Sequence, residues 1–368
     1  MNLAARLRAR VVALPAGEQV SAARLAAYAR EESPLATTDE VDAAVREVLA
    51  HTDGLGPLEP LLADPAVTEV MVNGPGPVWL ERAGALERTA VTLDAAGILA
   101  IVERVVAPLG LRADRASPLA DARLPDGSRA HVVLPPLAVD GPCVTIRRFA
   151  IQGAALADFC APTVADLLRD AVAERRNIVV SGATSSGKTT LLNALAAGIP
   201  AGQRIVTIEE AAELRLPQEH VVRLEARPPN AEGAGEVRVR DLVRNALRMR
   251  PDRLVVGESR GAEAFDLLQA MNTGHDGSFS TLHANSPSDA IRRLETMVMM
   301  AEVGLPLAAV RQQVASALDL VVQVARRPGG RRAVVEVAEV GLGPDDLRPL
   351  ADERNVANRF ARPPRSDP

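Results

Sequence analysis

Gly182-Ala183-Thr184-Ser185-Ser186-Gly187-Lys188-Thr189 matches G-x-x-x-x-G-K-[ST] at every fixed position. The apolar run Asn177-Ile-Val-Val-Ser precedes it and reads as a strand. Residues 189–197 follow as a helix. This strand–loop–helix context is the one a phosphate-cradling loop requires. The glycines let backbone N–H groups turn inward onto phosphate oxygens, and the positive end of the helix favours anions. Lys188 is the only lysine in a chain with 42 basic residues, the others all being arginine. Coding bias accounts for the missing lysines but not for the position of the one that remains. A compact ammonium fits between β- and γ-phosphate oxygens beside a tight loop, where a planar guanidinium is too wide. The loop residues Thr184, Ser185 and Ser186, with Lys188, Thr189 and Thr190, are therefore candidate ATP contacts. The Thr189 hydroxyl is a candidate Mg²⁺ ligand. A chance Gly/Ser-rich turn is the competing reading.

About seventy residues on, Leu254-Val-Val-Gly257-Glu258 delivers an acid at the end of an apolar strand. Glu258 is placed to position Mg²⁺, directly or through water, or to polarise the attacking water. Between the two lies Ile205-Val-Thr-Ile-Glu209-Glu210-Ala-Ala-Glu213-Leu214. A carboxylate there beside a γ-phosphate serves as general base; an acidic loop that is simply solvated fits the residues equally well. The fourth block is Thr273-Gly-His275-Asp-Gly-Ser-Phe-Ser-Thr281-Leu-His283-Ala-Asn285. Its two histidines are too few for a metal site. An imidazole facing the γ-phosphate is the functional reading, and two structural histidines the alternative. Arginines cluster at Arg123, Arg129, Arg147 and Arg148, and again at Arg248, Arg250 and Arg253. In so arginine-rich a chain most are surface charge; a few can neutralise phosphate, in cis or from a neighbouring subunit.

The 368 residues suggest two or three domains. Hydrophobic residues make up 47% and charged residues 24%, so the chain is globular. With aromatics at 2%, its core is built from Ala, Leu, Val and Ile. The net charge of −5 has no polybasic arm, so no direct nucleic-acid contact is expected. Cys143 and Cys160 show no metal spacing and read as reduced, ordinary residues. No apolar run approaches the ~20 residues that span a bilayer, and arginines interrupt the first dozen residues where a signal peptide needs an apolar stretch.

Residues 1–54 read as a helical segment, with Thr38 as a candidate N-cap. Residues 55–150 alternate short β-type runs with one helical stretch and read as a smaller α/β domain. Residues 151–162 are the expected linker, and 163–350 a larger α/β domain with a mostly parallel sheet covered on both faces. A hairpin is expected around Pro328-Gly-Gly-Arg331. Residues 351–368 lack an apolar pattern and are expected to be disordered.

These blocks, in this order, resemble the ATPase superfamily of type II, type IV and pilus secretion systems. Asp121-Ala-Arg-Leu-Pro-Asp-Gly-Ser-Arg129, Thr145-Ile-Arg-Arg-Phe149, Arg227-Pro-Pro-Asn230, Leu247-Arg-Met-Arg-Pro-Asp-Arg253 and Gly257-Glu-Ser-Arg-Gly261 resemble its CpaF/TadA branch, the motors of tight-adherence (Flp-type) pili. The resemblance implies a homo-hexameric ATPase with a RecA-like P-loop motor domain and ATP bound between that domain and the N-terminal one. It implies Glu209 as the catalytic glutamate, Glu258 as the Walker B acid and His283 as the γ-phosphate sensor. Arg123, Arg129 and Arg147 become N-terminal-domain contacts to nucleotide. The implied partners are an inner-membrane platform protein and, indirectly, pilin. The implied location is cytoplasmic, at the inner face of the membrane through those partners. A type IV secretion or conjugal DNA-transfer ATPase is the alternative, and a non-hydrolysing nucleotide-gated scaffold a third reading. Two positions depart from the pattern: Glu210 stands where an aspartate is usual, and Ser259 where an apolar residue is usual. The tetracysteine zinc element of many type II motors is absent, so no structural metal is expected.

Overall fold

The structure is a computed structural model and describes residues 2–14, 20–52, 54–82, 84–148, 153–229, 232–343 and 346–365. Phe149 and Asn230 lie outside the described residues. So do 151–152 of the expected linker and 366–368 of the expected tail. The chain divides into two compact units, Met1–Ala150 and Ile151–Pro368.

The first unit opens with three helices, α1 (Leu3–Val12), α2 (Ala22–Glu32) and α3 (Thr38–Thr52). Leu7, Leu25, Ala29, Val41 and Val48 meet at helical spacing and are buried as one cluster. The cap of α3 is one residue earlier than expected. The Thr37 hydroxyl accepts from the amide of Glu40, whose carboxylate accepts from the Thr37 amide, a reciprocal box. After α4 (Glu59–Ala63) come β1 (Val67–Asn73), β2 (Gly76–Arg82), β3 (Ala85–Leu93), α5 (Ala95–Val106), β4 (Leu119–Arg123), β5 (Arg129–Val133) and β6 (Cys143–Arg147). The strands form an antiparallel sheet in the order β3-β2-β1-β6-β5-β4. Side chains alternate across it. Val70, Val72, Val78, Leu80, Val132, Val144 and Ile146 turn to one face, where Ile98, Ile101, Val102 and Val105 of α5 cover them. The other face carries the polar and charged residues.

The second unit begins earlier than the expected linker allows. Leu156, Phe159 and Cys160 are buried in its core, because apolar side chains this close to α6 (Pro162–Ala173) have a sheet to pack on. Burial pushes the Cys160 thiol up to about 11. Then follow β7 (Ile178–Gly182), α7 (Lys188–Ala196), β8 (Ile205–Glu209), β9 (Val221–Glu225), α8 (Val239–Ala246), β10 (Arg253–Val256), α9 (Glu263–Asn272), β11 (Phe279–His283), α10 (Pro287–Met300), α11 (Leu307–Ala317), β12 (Leu320–Arg326), β13 (Arg332–Val340) and β14 (Leu347–Asp352). The sheet runs β14-β13-β12-β7-β11-β10-β8-β9. From β12 to β9 it is parallel; β13 and β14 extend it antiparallel. Both faces are covered, as expected. Ile178, Val180, Ile205, Val255, Leu320 and Val322 face α6 and α7, while Val179, Val206, Leu254, Val256 and Val321 face α8 to α11. The α/β architecture read from the sequence is thus the one the chain forms, and the hairpin at Pro328 joins β12 to β13.

The expectation of a disordered tail does not hold for residues 351–365. Residues to Asp352 complete β14, and two arginines fasten the segment beyond it. Arg362 Nη1 donates to the carbonyls of Ala315, Leu318 and Val340. Arg365 Nε donates to Asp319 Oδ2 at 2.6 Å, and its Nη1 to Asp276 at 2.8 Å. Asp319 is 1% exposed, so these guanidiniums neutralise a carboxylate held out of water. Such a segment binds through charge, and a search for apolar periodicity misses it.

Candidate functional site

Parallel strands present their ligand sites at their carboxyl ends. Here β7, β11, β10 and β8 lie side by side, and their ends deliver Gly182, His283, Glu258 and Glu209 in that order. His283 is the register partner of Gly182.

The loop after β7 has little freedom. A Cβ on Gly182 would fall 2.5 Å from Ser186 Oγ and 2.5 Å from the Val324 carbonyl. Gly187 has a left-handed φ of 100°, a conformation that side chains disfavour. It hands the chain to α7, whose first amides, those of Lys188, Thr189 and Thr190, have no partner within the helix. Ser186 Oγ is buried without a hydrogen bond. A cradle of this kind, with the buried Ser186 hydroxyl and a helix N-terminus, fits a phosphate chain.

Lys188 is 8% exposed. Its Nζ donates to the Ala183 carbonyl at 3.0 Å and to His283 Nδ1 at 3.2 Å. An ammonium has no lone pair to accept with, so Nδ1 must be the acceptor and the imidazole neutral. Burial holds His283 below its ordinary pKa; the pull of Glu258 opposes this, and Lys188, Arg260 and Arg293 reinforce it. On the other side of the ring, Nε2 stands 2.7 Å from Glu258 Oε1, out of hydrogen-bond alignment. Glu258 Oε1 is thus buried with no aligned hydrogen-bond donor. Glu258 Oε2 receives Arg260 Nε at 2.7 Å, and Arg260 Nη1 reaches on to Glu210 at 2.7 Å.

Glu209 is directed differently. It is 3% exposed and packs against Gly257, where a Cβ would come 2.8 Å from its Cγ. Its Oε1 accepts from the amides of Glu213 at 2.8 Å and Leu214 at 3.0 Å. Burial raises its pKa to about 7, against the pull of these two amides. In this state the carboxylate fastens its own loop.

Thr189, second residue of α7, and Glu258 are the oxygen donors expected for Mg²⁺. Among the described residues no group of three or more His, Cys, Asp or Glu is spaced to hold a metal ion.

Arg123, Arg129 and Arg147, in the first unit, form one row. Arg123 is the register partner of Arg129, Arg129 of Arg147, and Arg147 of Glu69. Like charges directly opposite one another destabilise a sheet; Glu69 offsets one end of the row.

Arg253 and Ser259 have structural roles. Arg253 is fully buried at the amino end of β10 and binds Gln203, the Gly277 carbonyl and the Val172 carbonyl. His275 precedes β11, at the end away from His283. Ser259 shares a buried hydrogen bond with Ser280 at 2.9 Å, which accounts for a hydroxyl at that position. Sequence reasoning missed Arg260 as a site residue, although the Gly-Glu-x-Arg-Gly string contains it. It also missed Arg332, which nothing in its neighbourhood signals. A cleft of about 820 Å³ opens beside Ala183, Thr184, Arg260 and His283 and runs along Arg292 and Arg293.

The family model described as "Type II/IV secretion system protein" matches residues 51–341. A putative conjugal transfer protein of Mycobacterium tuberculosis (strain H37Rv) is 43% identical over 311 residues, covering 81% of this chain and 88% of that protein. Type IV secretion system protein PtlH of Bordetella pertussis is 37% identical over 314 residues, covering 76% and 92%. Among solved structures, the pilus retraction motor PilT with bound ADP shares the fold at a TM-score of 0.57 and 20% identity, covering 82% of this chain and 84% of that one. The chain belongs to the type II/IV secretion system protein family.

Proposed function

We propose that this chain is an ATP-hydrolysing motor of a secretion machine. The observation that carries the reading is the line Lys188–His283–Glu258 beside the glycine cradle. Lys188 and the amides heading α7 would bind the phosphates, with Thr184, Ser185, Ser186 and Gly187 shaping the loop and Thr190 closing it. Thr189 and Glu258 would hold Mg²⁺, which neutralises phosphate charge when bound. His283, neutral and already a hydrogen-bond partner of Lys188, is suited to sense whether a γ-phosphate takes Lys188 over. Glu209 is the proposed general base. It would have to leave the Glu213 and Leu214 amides to act, which makes its loop part of the cycle. Arg123, Arg129 and Arg147 are the proposed contacts from the first unit.

Two cargoes remain. The CpaF/TadA-like strings support assembly of a tight-adherence pilus with a platform protein and pilin. The names of the relatives support a type IV or conjugal transfer system, and at 37–43% identity they weigh more. Either way the proposed working form is a homo-hexamer at the cytoplasmic face of a membrane. No helix among the described residues is long and apolar enough to cross one.

Glu258→Gln tests the hydrolytic reading. It keeps the side chain's size and removes its charge. ATP binding should persist while phosphate release falls by about 10²–10³-fold. A Glu258→Gln chain that hydrolyses ATP at the wild-type rate would exclude this site. Affinity capture from the native cell, identifying either pilin-system or conjugation-system membrane proteins, separates the cargoes.

A further inference from the structure

Arg332 opens β13, far from the P-loop in sequence, yet its side chain lies on the start of α7. Its Nη1 donates to Thr190 Oγ1 at 3.1 Å. Its stem covers Gly187, where an added Cβ would meet Arg332 Cδ at 2.6 Å. Gly187 is thus required twice, for its left-handed φ and for the approach of this side chain.

The placement is electrostatically unusual. Cations are favoured at helix C-termini and disfavoured at N-termini, where the dipole is already positive. Here Lys188 and Arg332 both stand at the N-terminus of α7. An anion bound there is attracted by both charges and by the helix end. The two are not redundant. Successive helix residues are rotated by about 100°, so Lys188 and Thr190 point to nearly opposite sides of the first turn. Lys188 leans toward Ala183 and His283. Arg332 reaches the turn from the Thr190 side.

We propose that Arg332 is a nucleotide-binding residue that contacts the α-phosphate end of the phosphate chain. This rests on the proposed ATP site and extends it. Lys188 serves the β- and γ-phosphates. The phosphate left for the Thr190 side is the α-phosphate, which ATP and ADP share. The β12–β13 hairpin thereby becomes part of the site, and its position becomes sensitive to bound nucleotide whether or not the γ-phosphate is present.

Arg332→Gln in the full chain is the test. It keeps the first part of the stem over Gly187 while removing the charge and, being two bonds shorter, the contact to Thr190, so the fold should survive; thermal unfolding without nucleotide checks this. Dissociation constants for MgATP and MgADP are measured by titration calorimetry at two salt concentrations. Loss of one charge-assisted contact should weaken both by about tenfold, leave their ratio unchanged and reduce the salt dependence. Arg332→Lys should recover part of the loss. Unchanged or tighter binding of both nucleotides would overturn the proposal, and so would weakening of ATP alone, which would move Arg332 to the γ-phosphate. If Gln lowers the unfolding temperature, the Lys variant decides: a stable Arg332→Lys chain with wild-type salt dependence supports the charge role, and one with none overturns it. A wild-type chain that binds neither nucleotide would remove the ATP-site reading itself, a result distinct from these.

Discussion

Lys188 Nζ lies 3.2 Å from His283 Nδ1. This joins the end of one strand to the helix that follows its neighbour in the sheet. Because an ammonium only donates, the contact determines the protonation of the imidazole, and through Nε2 it sets what faces Glu258 at 2.7 Å. A phosphate that drew Lys188 away would release Nδ1 and allow the ring to take up a proton. Changes at the P-loop are thereby felt at the end of β11.

Glu209 predicts a pH dependence of stability. Its pKa rises from 4.5 in a solvated chain to about 7 in the fold. Between these values the folded state binds more protons than the unfolded one, so stability falls as pH rises. The effect is complete above pH 7 and is of the order of 3 kcal/mol. Glu209→Gln should flatten the urea-unfolding free energy between pH 4.5 and 7 relative to wild type. Parallel curves would place the carboxylate elsewhere. As general base, Glu209 should also make wild-type turnover rise through pH 7.

Arg362 and Arg365 predict that the end of the chain is structural. Asp319 is 1% exposed and also accepts the Asn177 amide at 2.8 Å. Replacing both arginines with alanine leaves this carboxylate uncompensated, a change that costs about 3–5 kcal/mol. Asp319→Asn in the same chain should restore part of it. Denaturant unfolding measures both; a loss below about 1 kcal/mol, or no recovery, would contradict the role.

How a residue is held decides whether the sequence makes it legible. Lys188, Glu258 and His283 lie at or just beyond strand ends, and apolar runs mark strand ends. Strands β3, β4 and β9 carry exposed or half-buried residues and show no comparable run. The direction of the Glu209 carboxylate depends on loop amides four and five residues away, which no motif encodes. The C-terminal segment and Arg332 act through guanidiniums, and in a chain with one lysine and so many arginines no single arginine stands out. Arg332 also reaches the P-loop only because β13 folds back beside β12.

The arginine row predicts a trade-off. Arg129 stands between Arg123 and Arg147. Arg129→Ala should relieve like-charge repulsion and stabilise the fold by about 0.2–1 kcal/mol, while lowering ATP turnover. Thermal unfolding and phosphate release are read on the same preparation. Lower stability with unchanged turnover would make the row structural.

The central claim is that the lone lysine belongs to a working ATP site. Phosphate release by the purified full chain, wild type against Lys188→Ala, tests it most directly. Wild type should hydrolyse MgATP, and Lys188→Ala should be slower by about 10²–10³-fold. Equal rates in the two proteins would contradict the account.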